Sequence, residues 1–197
     1  MRIVALPIAQ AISEPGARQG RQRARGGRRA AAREEVPLAV TAIGRENAKD
    51  FERFGQVLWP EEDGTPYDVP RFDADLDLSR GKPRFYLMRL NPKGLTMDRI
   101  TFHANVTQCL ASADDVTWHL VVAEPSPLSK PPRTDDLHAF AFPAGCIVKM
   151  HKATWHAGPL FEGRDVAFYN LELSDTNVVD HNTHVYADEG IAYRLVP

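Results

Sequence analysis

The sequence predicts an all-β protein, a sandwich or barrel of short strands. Three observations carry this. Apolar or alternating runs of strand length recur from residue 38 onward. Glycine and proline turns break them at short intervals, 13 and 15 of these residues in a chain of 197. No stretch sustains a helical period beyond a turn or two, so the pattern matches many short strands closing on one core.

The elements follow in order. Residues 1–35 read as a basic, disordered tail: Gly16, Gly20, Gly26 and Gly27 interrupt it and apolar residues are sparse. An Arg-rich transit peptide is the alternative reading. The domain is expected over 36–197, beginning near Val36-Pro37-Leu38. Leu38–Ile43 is a short apolar strand, Asn47–Phe54 a helical turn or two ended by Gly55, and Val57–Trp59 a strand stopped by Pro60. Arg84–Leu90 alternates and ends at Asn91-Pro92-Lys93-Gly94. Leu95–His103 and the nearly continuous apolar run Val116–Ala123 follow. Pro125–Pro132 is a proline-rich surface loop. Leu137–Phe142, Cys146–Met150, Val166–Leu173 and Ile191–Val196 complete the strands.

Composition excludes some functions. Residues 1–35 hold eight arginines against three acids, a net +5; the rest holds 16 basic and 23 acidic side chains, a net −7. An acidic body is not built to grip phosphate backbones, so no nucleic-acid partner is expected. No apolar run reaches the length of a membrane span, so no membrane partner is expected either. Two cysteines, Cys109 and Cys146, with no secretory signal point to a reducing compartment: cytoplasmic, or organellar if the tail is a transit peptide.

The chemistry concentrates in two segments. Gly145–Leu160 spends two histidines and a tryptophan within six residues, His151, Trp155 and His156. Side chains of a strand alternate faces, so residues five apart point oppositely unless the strand bends. A bend at Ala153-Thr154 would let both histidines reach one cavity. His103–Gln108 has the same spacing and needs a similar irregularity. The two segments are expected to face each other across one pocket. His119 reads as core or interface, His181 and His184 as solvent-exposed, and Asp175 and Asp180 as turn caps.

These segments resemble a known family. A cupin-type barrel carries an H-x-H-x(3,4)-E and a P-x-G-x-x-H segment; His103-x(4)-Gln108 and His151-x-Ala153-x-x-His156 look like departures from them. The particular departures resemble the ureidoglycolate lyase family. Phe51-Glu52-Arg53-Phe54-Gly55-Gln56-Val57 resembles its F-x-x-[FY]-G segment, His103 to Gln108 its H-x(3)-T-Q segment, and Val148 to Leu160 its H-x(3)-W-H segment. The likeness runs collinearly over about residues 36–197. Ala157 replaces a second histidine, and Asn170–Asn177 replaces a D-R-G-G segment.

The resemblance implies an all-β, cupin-like jelly-roll barrel with a few short helices. It implies cleavage of ureidoglycolate to glyoxylate and urea in allantoin and purine catabolism. It assigns proton transfer to His103 and His156, contacts to the ureido group to Gln108, and carboxylate binding to His151 or Lys149, with Trp155 and Thr107 in the substrate wall. No cofactor is required by it. A divalent ion on His103, Gln108, His151 and His156 is compatible with imidazole and amide chemistry. A homodimer paired through an edge strand is expected. The alternatives are a metal-dependent cupin enzyme acting on another small acid, and a cupin module that binds without catalysis.

Overall fold

The computed structural model describes residues 33–197. The expected basic tail falls on residues of which 1–32 lie outside that range. The described residues form thirteen strands: β1 Glu34–Ala42, β2 Gly55–Leu58, β3 Pro83–Leu90, β4 Thr96–Met97, β5 Arg99–Phe102, β6 Gln108–Ser112, β7 Trp118–Ala123, β8 His138–Phe142, β9 Ile147–Met150, β10 Trp155–Leu160, β11 Val166–Leu173, β12 Asn182–Val185 and β13 Ile191–Val196. Helical structure is limited to short turns, the longest being 3₁₀ over Arg45–Phe51, where a helical turn is expected from the sequence.

The strand order defines the architecture. One sheet runs β2-β9-β6-β11-β3 and the other β12-β5-β10-β7-β8-β1-β13-β4. Within them β9-β6-β11-β3 and β5-β10-β7-β8 interleave in sequence as two Greek keys folded face to face. This is the double-sheet jelly roll, the architecture that cupins use. The all-β, cupin-like expectation therefore follows from the connectivity itself.

Two apolar layers hold the fold. Between the sheets lie Phe51, Phe54, Leu110, Trp118, Leu120, Val122, Phe142, Val148, Met150 and Phe168. Behind the larger sheet lie Phe102, Val121, Ala123, Ala139, Trp155, Ala157, Tyr193 and Leu195. Strand β7 feeds both, with Leu120 and Val122 on one face and Val121 and Ala123 on the other. A strand buried on both sides needs no polar alternation, which is why its sequence reads as a continuous apolar run.

The same alternation sorts the residues of the 145–160 segment. Val148 and Met150 enter the layer between the sheets, so Lys149 and His151 lie on the outer side of β9. Trp155 and Ala157 enter the layer behind the larger sheet, so His156 points between the sheets. The expected bend exists: Ala153 has φ 62, and the Thr154 N–H closes a turn on His151 O. It passes the chain from one sheet to the other rather than turning both histidines inward.

Candidate active site

Where the apolar layer between the sheets ends, beyond Met88, Leu90 and Leu110, a cavity of about 230 Å³ is lined by polar groups. That is below the size range of sites for drug-sized ligands and suits a small metabolite. His103, Gln108 and His156 line it together, with Tyr86, Lys93, Asn170, Glu172, Asn177 and His181. A larger hollow of about 640 Å³ on the outer face of the five-stranded sheet is lined by no histidine and no basic side chain.

His103 follows β5 and is 5% exposed. Its Nδ1 lies 2.5 Å from Asp180 O. A carbonyl only accepts, so Nδ1 carries the proton and Nε2 the lone pair. His156, on β10, repeats the arrangement with Nδ1 3.1 Å from Thr154 O. The two rings sit 5.1 Å apart. His181, exposed at the rim, lies 5.6 Å from His103. Burial pulls the His103 imidazole below its ordinary range, opposed by the bond to Asp180. Burial pulls His156 down to about 3, with His103 adding in the same direction. Both are neutral bases near pH 7.

The opposite wall belongs to the five-stranded sheet. Gln108 opens β6, and its Nε2 donates to Asn170 Oδ1 at 3.2 Å and Glu172 Oε2 at 3.1 Å. Glu172, on β11, is 1% exposed. It also accepts from Tyr86 Oη at 3.2 Å, Asn170 Nδ2 at 3.2 Å and Asn177 Nδ2 at 3.0 Å, with Arg84 Nη1 at 3.7 Å. Burial and the Glu172 charge raise the Tyr86 phenol above its usual range.

Asp180 supports the site from outside. Its carboxylate accepts the backbone N–H of Ala104 at 2.9 Å and of Asn105 at 2.8 Å. These bonds fix the loop that carries His103.

The other residues singled out in the sequence lie elsewhere. Lys149 is 1% exposed; its Nζ donates to His151 Nδ1 at 2.9 Å, and His151 Nε2 donates to Glu52 O at 3.2 Å. This pair lies on the outer side of β9 and does not line the cavity. Lys93 is the basic side chain that lines it. Trp155 is fully buried, edge-on to Phe102 at 4.5 Å, with its indole N–H on Ser126 Oγ at 2.8 Å; it is a core residue. Thr107 Oγ1 accepts the Asp77 N–H at 2.9 Å and pins a loop.

The four-residue metal set therefore does not assemble, because His151 is turned away. Among the described residues no three His, Cys, Asp or Glu side chains converge as a metal centre. The cavity is lined by three imidazoles, His103, His156 and His181, and the Gln108 amide, with Glu172 committed to other donors. As placed, they are a partial donor set and not a built divalent centre.

Sequence reasoning missed Glu172, Asn170, Tyr86 and Lys93. Alternation in Val166–Leu173 is the signal that could have found two of them: Asn170 and Glu172 share the inward face with Val166 and Phe168, where polar residues are out of place. His184, expected in solvent, is half-buried against Glu189 at 2.9 Å.

No known family model matches the chain, and no curated protein matches it. Solved structures with some likeness include oxalate decarboxylases. A variant of the Bacillus subtilis enzyme is 12% identical with a TM-score of 0.36, over 53% of this chain and 24% of that one. The Lactobacillus farciminis enzyme in its formate complex is 9% identical with the same TM-score, over 55% and 28%. The matches span about a quarter of those chains, and at that TM-score they add no argument to the fold that the strand order defines. This chain is a cupin-like jelly roll.

Proposed function

We propose that the chain is a carbon–nitrogen lyase acting on a small α-hydroxy ureido acid, with ureidoglycolate giving glyoxylate and urea. One observation carries the reading. The cavity joins the three residues that the family resemblance names for chemistry, His103, Gln108 and His156, with two neutral imidazoles side by side.

The reaction needs a base at the carbinol hydroxyl and an acid at the departing nitrogen. His103 supplies both in turn. Its Nε2 takes the hydroxyl proton, the C=O forms, and the C–N bonding pair leaves on the urea nitrogen. The imidazolium then returns the proton to that nitrogen. Asp180 O, already bonded to Nδ1, stabilises the imidazolium as it forms. His156 is too weak a base to hold a proton near neutrality; its Nε2 accepts a ureido N–H. Lys93 faces the substrate carboxylate. No step is routed through a metal.

The test is the full chain incubated with racemic ureidoglycolate, followed for glyoxylate and urea. Release above the spontaneous rate is expected, and His103→Ala should lower kcat/KM by about 10²- to 10⁴-fold. No release above the spontaneous rate, with or without added divalent ions, refutes the lyase reading.

A further inference from the structure

The amide of Gln108 cannot turn over. Its nitrogen faces Glu172 Oε2 and Asn170 Oδ1. A carboxylate offers lone pairs only, so reversing the amide would set Oε1 against two acceptors. Nor can Glu172 move aside: it is 1% exposed and held by Tyr86, Asn170, Asn177 and Arg84. The remaining atom, Gln108 Oε1, is buried and has no partner. Buried polar atoms in folded proteins are almost always satisfied. A fixed, unpaired acceptor on a residue that lines a cavity marks where a ligand donor belongs.

The facing wall has the same polarity. His103 and His156 each spend Nδ1–H on a backbone carbonyl, so each has only a lone pair left at Nε2.

We infer that Glu172 is a positioning residue that sets the hydrogen-bond polarity of the cavity. By holding the N–H side of the Gln108 amide it leaves Gln108 Oε1, His103 Nε2 and His156 Nε2 as acceptors. The cavity then selects a small planar head rich in N–H donors, of ureido or amidine type, over one that offers only oxygens. The choice of a ureido head rests on the proposed lyase reading; the polarity does not.

The experiment uses the full chain in the presence of chelator and two stable probes, ureidoacetate and its N′,N′-dimethyl derivative, which lacks the terminal N–H donors. Calorimetry gives the ratio of their affinities. Wild type should favour ureidoacetate by at least about tenfold, since a site built for N–H donors rejects the analogue lacking them. Glu172→Gln supplies a donor in place of the carboxylate and lets the Gln108 amide turn, and the ratio should fall to about threefold or less. Arg84→Met removes the outermost partner of Glu172 together with the guanidinium stacked on the Tyr86 ring, leaves the bonds of Gln108, Asn170 and Asn177 to Glu172 in place, and should keep the wild-type ratio.

A second readout needs no ligand. The side-chain amide resonances of Gln108 in ¹⁵N-labelled protein should move in Glu172→Gln and stay in place in Arg84→Met. A loss of stability alone would change neither the ratio nor this signature. Equal wild-type affinity for the two probes overturns the inference even if Glu172→Gln does not fold. So does a Gln108 amide unmoved in Glu172→Gln. If wild type binds neither probe, the ureido-acid reading fails, and the amide resonance alone decides the role of Glu172.

Discussion

Replacing His156 by Gln should remove much of the protein's sensitivity to mild acid. In the unfolded chain an imidazole titrates near its ordinary 6.5; in the fold, burial pulls His156 down to about 3. As pH falls below 6.5 the unfolded state takes up this proton and the native state does not. The unfolded state is thereby favoured, increasingly until the folded value is reached. Between pH 7.5 and 4.5 the loss from this one residue is about 2.7 kcal/mol. The residue is only 9% exposed, so solvent screening does not erase the effect. Urea unfolding at pH 7.5 and 4.5, on wild type and His156→Gln, measures it. The variant should lose about 2 to 3 kcal/mol less than wild type between the two pH values, whatever its stability at pH 7.5. Equal losses in the two proteins would refute the placement of His156 as a buried, neutral base, and with it the role given to that ring.

Three further outcomes are expected. Lys149→Met should leave kcat/KM within about twofold and be neutral or stabilising by about 1 to 2 kcal/mol, because a buried ammonium with one neutral partner is costly; a fall in activity of about tenfold would return Lys149 to the site. The same variant should flatten the alkaline limb of the stability profile: burial lowers the Lys149 pKa, so wild-type stability rises with pH from that lowered value up to the ordinary lysine range. Asp180→Ala orphans the N–H groups of Ala104 and Asn105 and should cost about 3 kcal/mol in chemical denaturation while lowering kcat.

The fold was largely legible because its signals are local. Val166–Leu173 and Ile191–Val196 coincide with β11 and β13, and the β7, β8 and β9 runs differ from expectation only at their ends. The site was legible in part. His103, Gln108 and His156 line one cavity, since Gln108 and His156 stand at inward-facing strand positions at one end of the sandwich and His103 directly follows β5 there. His151 does not, although the bend at Ala153 is present. The sequence shows that the chain turns, but not that the turn carries it from one sheet to the other, which leaves the two histidines on opposite sides of a wall. Trp155 is misleading for a related reason. Beside a functional histidine it looks like a substrate contact, yet a second apolar layer lies behind the larger sheet, and an aromatic on that face belongs to the layer. Glu172 was hidden because two of its partners, Tyr86 and Gln108, come from distant segments brought to it only by sheet pairing.

Strand β7 has one more consequence. The two apolar layers share it, so neither can come apart while the other stays intact. Its amide protons should exchange with solvent only when the whole domain opens, and they should report the global unfolding free energy rather than a local one. β10, which carries His156, is hydrogen-bonded directly to β7, with His156 paired to Val122. The cavity wall that carries His156 is therefore attached to the slowest-opening part of the molecule. Mobility needed for ligand entry has to come from elsewhere, away from β7 and β10.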